Sequence, residues 1–170
     1  MSSIITKLKA MRDFLNANPI DSASAYITDG QNQAYELLRN APGVAKIALG
    51  FSKGVARSNF PGGDITGREN EYFYAIISRG KGLNQDRAAN IVTGSGGGKP
   101  LIELAEILRD GLRTLQFDPA TDERTDYVSI EEWGLLQGFN IDGFKINIWV
   151  GTQMTNFVPI TENLEQSLPT

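Results

Sequence analysis

The stretch FKINIWV, residues 144–150, carries an apolar side chain at every even position. Successive side chains of a β-strand point to opposite faces, so this alternation predicts a strand with one buried face. The stretch LIELAEILRDGLRTL, residues 101–115, repeats apolar residues at intervals of three and four, which is the spacing of one helical stripe. Together with the aromatic run at residues 72–78, these stretches predict a sheet with a helix packed on it.

Weaker patterns predict further elements. Ser2 or Ser3 is expected to cap a first helix ending near residues 18–19, and Asp29 a short second helix, while residues 44–51 read as a strand paired with residues 72–78. The apolar stripe of the first helix comprises Ile4, Ile5, Leu8, Met11 and Leu15. We therefore expect an α+β fold: an antiparallel sheet of about four or five strands, flanked by helices and joined by long glycine-rich loops. Residues 1–154 are expected to form one domain and residues 155–170 a C-terminal extension.

Two long connections, residues 54–70 and residues 80–98, are rich in glycine and are predicted to be loops that make contacts. The end of the second, from Gly94 to Lys99, is similar to a phosphate-binding P-loop. Only three residues separate its outer glycines, where the pattern requires four, and Pro100 replaces the magnesium-binding Ser or Thr. A linker with Pro100 as the first helical residue is the favoured interpretation, with nucleotide binding as an alternative.

The composition restricts the possible chemistry. The chain contains neither cysteine nor histidine, which excludes disulfides, thiolate nucleophiles, cysteine-bound zinc and the commonest general base. The acidic segment 118–132 lacks the alternating carboxylates of a calcium loop, and its adjacent Glu131 and Glu132 would point in different directions. A solvated acidic loop is the favoured interpretation, and we expect neither an enzyme nor a cofactor.

The net charge of −4 is unevenly distributed. Residues 1–99 carry 12 Lys or Arg against 8 Asp or Glu, whereas residues 100–170 carry 4 against 12. One interpretation is chance variation along a soluble surface. The other is a subunit with a basic side and an acidic side, suited to head-to-tail contacts in a closed ring. No dense basic cluster with interleaved aromatic residues indicates sequence-specific nucleic-acid binding. No apolar run approaches a membrane span, and the first residues do not form a signal peptide, so we expect synthesis in the cytoplasm.

The order of these elements resembles the tail terminator proteins of long-tailed bacteriophages. The resemblance is carried by residues 42–49, a looped connection, residues 69–77, the helix at residues 100–115 and the closing strand at residues 143–150. In that family an N-terminal helix precedes an antiparallel sheet flanked by helices, and six copies form a ring that caps the tail tube. The resemblance implies a structural protein of the virion, in the tail-neck region, that ends tube polymerisation and joins the tail to the head.

The implied partners are further copies of the chain, the tail tube protein and a head completion or neck protein, with DNA at most passing through the ring and no membrane. The alternatives are another oligomeric neck or tube-related virion component and, less favoured, a nucleotide-binding module through Gly94 to Lys99. We expect the contacts to involve residues of the loops and the C-terminal extension. These candidate interaction residues are Arg57, Arg68, Gly62, Gly63, Gly96, Gly97, Lys99 and Phe157.

Overall fold

The protein contains one five-stranded sheet. The structure, a computed structural model, describes residues 4–39, 44–58, 67–79, 87–94, 99–117, 124–136 and 141–154. The strands are β1 (Ser24–Ile27), β2 (Lys46–Ser58), β3 (Gly67–Ser78), β4 (Arg124–Leu135) and β5 (Gly143–Met154). The helices are α1 (Ile4–Ala17), α2 (Gln31–Arg39) and α3 (Leu101–Arg113), together with a short π-helix, π1 (Ala89–Thr93). The predicted α+β class, with a sheet flanked by helices, is confirmed.

The sheet is mixed, with the strand order β1-β2-β3-β5-β4. Strand β1 pairs parallel with β2, and the other three neighbouring pairs are antiparallel. The expectation of a wholly antiparallel sheet is therefore wrong at one edge. The cause is α2, which carries the chain from the end of β1 back to the start of β2, and a returning connection of this kind makes the flanking strands parallel.

Helices α1 and α3 cover one side of the sheet, the helix-covered face. Phe144, Ile146, Ile148 and Val150 of β5 all point into the core on this face, as their alternation predicted. The predicted stripe of α3 is also buried; it comprises Leu101, Leu104, Ala105, Leu108 and Leu112. Each such side chain stabilises the fold by roughly 1.5–3 kcal/mol when fully removed from water. These two local patterns therefore predicted the central packing of the molecule.

The first helix is turned slightly from its predicted orientation. Leu8, Met11 and Leu15 are buried, but Ile5 is 63% exposed. The position nearer the sheet is taken by Lys7, whose Nζ atom lies 2.7 Å from the Glu71 Oε2 atom of β3. Lys7 is buried in this ion pair and Ile5 lies on the outer side of α1, so Ile5 was wrongly assigned to the buried stripe.

Three segments predicted as loops contain regular structure. Strand β2 continues to Ser58 and β3 begins at Gly67, and residues 59–66 of the first predicted loop lie outside the described residues. Strand β4 likewise replaces most of the predicted acidic loop, and π1 occupies part of the second glycine-rich connection. Backbone ladder bonds do not require apolar side chains, so these polar strand ends gave no periodic signal.

The opposite side of the sheet, the open face, is covered by α2 at one end. Ala34, Tyr35 and Leu38 of α2 pack there against Tyr74 and other residues of the sheet, and Leu37 is partly buried beside them. The Tyr74 hydroxyl lies 3.1 Å from Thr28 Oγ1. Burial is the main cause that raises the pKa of Tyr74, so this residue stays a neutral hydrogen-bonding phenol at neutral pH.

Gly50 of β2 leaves space for the buried Tyr74 ring, because a Cβ atom at this position would overlap the ring. We expect Gly50→Ala to destabilise the protein by about 1–3 kcal/mol through overpacking. Urea unfolding followed by circular dichroism measures the change. Gly134→Ala is the matched control, since a Cβ atom at Gly134 meets nothing within 4 Å. Equal stability of the two variants would contradict this packing of Tyr74.

Candidate interaction surface

A groove of about 390 Å³ lies on the open face, beyond the part covered by α2. It crosses the four long strands, because its lining residues come from β2, β3, β5 and β4 in that order across the sheet. We call it the open-face groove. Its lining residues are Ser52, Lys53, Asn70, Tyr72, Phe73, Glu131, Glu132, Asn147, Ile148 and Trp149.

The floor of the groove combines aromatic rings with amide side chains. Tyr72 and Trp149 are register partners on β3 and β5, and both are partly exposed, as is Asn147. Lys53 places its Nζ atom 5.2 Å from the centroid of the Tyr72 ring, within the range of a cation–π contact. A floor with apolar rings and hydrogen-bonding amides is typical of surfaces that contact other macromolecules.

The two rims of the groove carry opposite charges. Lys53 lies on β2 and is exposed, whereas Glu131 and Glu132 are exposed on β4. Strands β3 and β5 lie between these rims, and three strand spacings separate them by about 14 Å. At these three residues, the basic first part of the sequence supplies one rim of the groove and the acidic second part supplies the other.

Each rim is also marked by a β-bulge. The ladder between β2 and β3 shifts register between Phe51 and Lys53, and the ladder between β4 and β5 shifts between Ser129 and Glu132. Bulges re-aim the side chains next to them. Glu131 and Glu132 therefore stand at an irregular point of a strand instead of in the solvated loop that the sequence suggested.

At the two described ends of the P-loop-like segment, Gly94 and Pro100 have structural roles at the ends of helices. Gly94 has a φ of 77° and donates its backbone N–H to the Ala89 carbonyl at 2.7 Å, which closes π1. Pro100 is the N-cap of α3 and not its first helical residue, and the helix begins at Leu101, where the predicted stripe begins. The Lys99 side chain is exposed, and its backbone carbonyl accepts a hydrogen bond from Arg79 Nη2 at 2.7 Å. Among the residues that the structure describes, no group of three or more His, Cys, Asp or Glu could hold a metal ion.

A buried polar cluster anchors the connection between β3 and α3. The buried Asp142 carboxylate accepts a hydrogen bond from Asn90 of π1 at 3.2 Å and pairs with Arg87 at 3.2 Å. Arg79 also reaches Asp21, at 3.2 Å, from the same side. The described parts of this predicted contact loop are therefore held to the body of the protein. The residues of this polar cluster are far apart in the sequence, so no local sequence pattern could predict it.

The predicted interaction residues have different positions. Arg57 and Arg68 are register partners on β2 and β3 instead of loop residues. Lys99 lies near the end of α1, beside Asp21. The remaining candidates, Gly62, Gly63, Gly96, Gly97 and Phe157, lie outside the described residues.

The open-face groove itself was not predicted. A signal for it existed in the odd positions of residues 144–150, because Lys145, Asn147 and Trp149 alternate with the buried residues and share the other face of β5. A polar strand face that carries an aromatic residue indicates a surface available for contacts. The opposite charges of the rims had no local signal, since they depend on strand order.

Neither a protein-family model nor a curated protein sequence matches this chain. Within the described ranges, each helix is too short or too polar to cross a membrane. The observations that bear on function are therefore those of the open-face groove: an aromatic floor and two oppositely charged rims.

Proposed function

We propose that this chain is a structural protein of the virion of a long-tailed bacteriophage. It forms a hexameric ring that caps the tail tube, ends tube polymerisation and joins the tail to the neck proteins of the head. The observation that carries the proposal is the opposite charge of the two sheet rims, with Lys53 on one and Glu131 and Glu132 on the other. The resemblance of the element order to that of tail terminator proteins suggests the biological role.

Opposite charges on two different surfaces favour head-to-tail contacts. A contact between two copies of one rim would bring like charges together, whereas a contact between unlike rims brings Lys53 toward Glu131 and Glu132 of the next copy. Contacts of this heterologous kind form closed rings when the rotation between neighbours closes. A ring has two different ends, which suits a protein that contacts the tail tube on one side and a head completion or neck protein on the other.

The proposed activity is assembly, with no catalytic step and no cofactor. DNA takes part only by passing through the ring. The ring acts by occupying the growing end of the tube, so its affinity for its own copies and for the tube decides when growth stops. Exposed charge pairs are screened over about 8 Å at physiological salt, and ring formation should therefore weaken as salt rises.

Charge reversal tests the proposal. We expect Lys53→Glu or Glu132→Lys to weaken the contact between subunits by at least about fivefold. Losing an attraction of about 1 kcal/mol corresponds to about fivefold, and the repulsion that replaces it adds to the effect. The combined variant restores opposite charges between neighbours and should assemble more tightly than either single variant. Light scattering during size-exclusion chromatography measures the mass, and electron microscopy measures the symmetry. Lys9→Glu is the control, because it makes the same charge change on the exposed side of α1.

The same variants should act on tails in infected cells. Phage that carry Lys53→Glu should make tails that overgrow or fail to join heads, while the Lys9→Glu phage should make normal particles. Joined tails of normal length in phage lacking the protein altogether would refute the terminator role. Open-ended tubes of the purified protein, in place of closed rings, would identify a tube-related component instead.

A further inference from the structure

Two strand edges of the sheet have no partner strand over long stretches among the residues that the structure describes. Strand β1 pairs with β2 only from Lys46 to Leu49, and no strand in the described ranges pairs with that edge of β2 from Phe51 onward. At the other side of the sheet, β4 is the last strand in the order. Open edges present unpaired backbone N–H and C=O groups and are templates for pairing with another chain.

We infer that these two edges pair with each other between neighbouring copies, so that β4 of one subunit continues the sheet into β2 of the next. The partner is a second copy of this chain, and the contact consists of backbone hydrogen bonds supported by the charged rims. The inference rests on the proposed head-to-tail assembly and specifies its interface. Strand addition of this kind obtains affinity from main-chain bonds and specificity from side chains.

The strand directions suit this pairing. Strands β2 and β5 run one way and β3 and β4 run the other, because β2–β3, β3–β5 and β5–β4 are all antiparallel pairs. When two copies lie side by side with their helix-covered faces on the same side, β4 therefore meets β2 in the antiparallel direction. Antiparallel pairs are slightly more stable per residue than parallel ones.

The bulges leave regular edges available. Bulges can protect an edge from pairing. Here the β2 bulge lies at the start of its free stretch, and the β4 bulge separates Arg124–Ser129 from the part of β4 that stands level with β1. Beyond them, Lys53–Ser58 of β2 and Arg124–Ser129 of β4 keep an unbroken register with their neighbours inside the sheet. Both stretches are six residues long, as long as an average strand.

The register inside one subunit shows which residues stand at equal height on the two edges. Lys53 pairs with Tyr72, Tyr72 pairs with Trp149, and Trp149 pairs with Ser129, so Lys53 and Ser129 stand at the same height. By the same ladders, Val55 stands level with Tyr127. Neighbours that meet without a vertical shift would therefore place Lys53 opposite Ser129, and Val55 opposite Tyr127, of the next subunit.

In this arrangement the charges also match. Ser129 and Glu132 pair with Trp149 and Asn147, which are two residues apart on β5, so both face the open side. Glu132 is thus the diagonal neighbour of an incoming Lys53, and diagonal neighbours on an antiparallel pair are within reach of long side chains. Pairing β4 with another β4 would instead place glutamates together, and pairing β2 with β2 would place lysines together.

Cysteine cross-linking tests the interface, because the chain contains no cysteine of its own. We expect the variant with both Val55→Cys and Tyr127→Cys to form a ladder of disulfide-linked multimers when the assembled protein is oxidised, read on a non-reducing gel. Each single variant alone should stay unlinked. A mixture of the two single variants should give linked dimers and nothing larger, because each copy then carries only one half of the contact.

The controls distinguish a wrong interface from a failure of the protein to assemble. Thr125→Cys and Ser129→Cys, each combined with Val55→Cys, cover register shifts of two residues in either direction, and Lys9→Cys with Tyr127→Cys measures random collisions. A ring seen by light scattering whose edge pairs link no more than the Lys9 control would overturn the inference and leave the proposed function standing. Linking of a single variant to itself would overturn it in favour of a symmetric edge contact. A protein that stays monomeric at all concentrations would refute both proposals.

Discussion

Replacing Ile146 by aspartate should prevent the protein from folding. Ile146 is fully buried at the centre of the helix-covered face, between Ala75 of β3 and Trp133 of β4 in the register. An unpaired carboxylate there costs several kcal/mol. A domain of this size has only about 5–15 kcal/mol of stability in total, so the change removes most of it. Circular dichroism and a thermal melt measure the outcome.

The adjacent residue supplies the control. Asn147→Asp makes the same acidic change one position along β5, but on the partly exposed floor of the open-face groove. We expect this variant to fold with a melting temperature close to that of the original protein. If Ile146→Asp melted at an unchanged temperature, the inward face of β5 would be assigned wrongly.

The second large effect is expected at Lys7. Its side chain is 3% exposed and that of its partner Glu71 is 12% exposed, with 2.7 Å between Nζ and Oε2. Lys7→Met would leave the Glu71 carboxylate nearly buried without its cation, and breaking a buried ion pair in this way costs about 3–5 kcal/mol. Chemical unfolding with urea measures the loss of free energy of unfolding.

The double replacement distinguishes the charge from the packing. Lys7→Met combined with Glu71→Leu removes both charges and keeps apolar volume between α1 and β3. Because replacing a whole buried pair by apolar residues is often neutral, we expect the double variant to be clearly more stable than Lys7→Met alone. A double variant no more stable than the single one would show that the lysine acts through packing.

The elements predicted most accurately are those whose signal is local. The alternation at residues 144–150 and the stripe at residues 101–115 each require one buried face, and a period in the sequence reports that directly. Strand β1 carried no such signal, because it has only four residues and depends on pairing with β2. The polar ends of β2 and β3 exist because they pair with each other, which no window of a single segment can report.

The candidate surface was less predictable for the same reason. The charge asymmetry was visible in the sequence, but its division between two rims depends on the order β2-β3-β5-β4. Glu131 and Glu132 lie at a bulge of β4, and a bulge is defined by the pairing with the neighbouring strand, here β5. Arg57 and Arg68 were assigned to a loop, although the ladder makes them neighbours on paired strands.

The strand order also bears on how the chain is made. Among the described residues β5 is the last strand along the chain, yet it lies between β3 and β4 and pairs with both. During synthesis, the residues of β3 and β4 therefore leave the ribosome before those of β5. Until β5 is made, the strand edges that pair with it have no partner. Contacts that are distant in sequence form slowly, and unpaired edges favour aggregation in the meantime. Because β5 is the only described strand that pairs with β4, β4 can join the sheet only after residues 143–154 have been made.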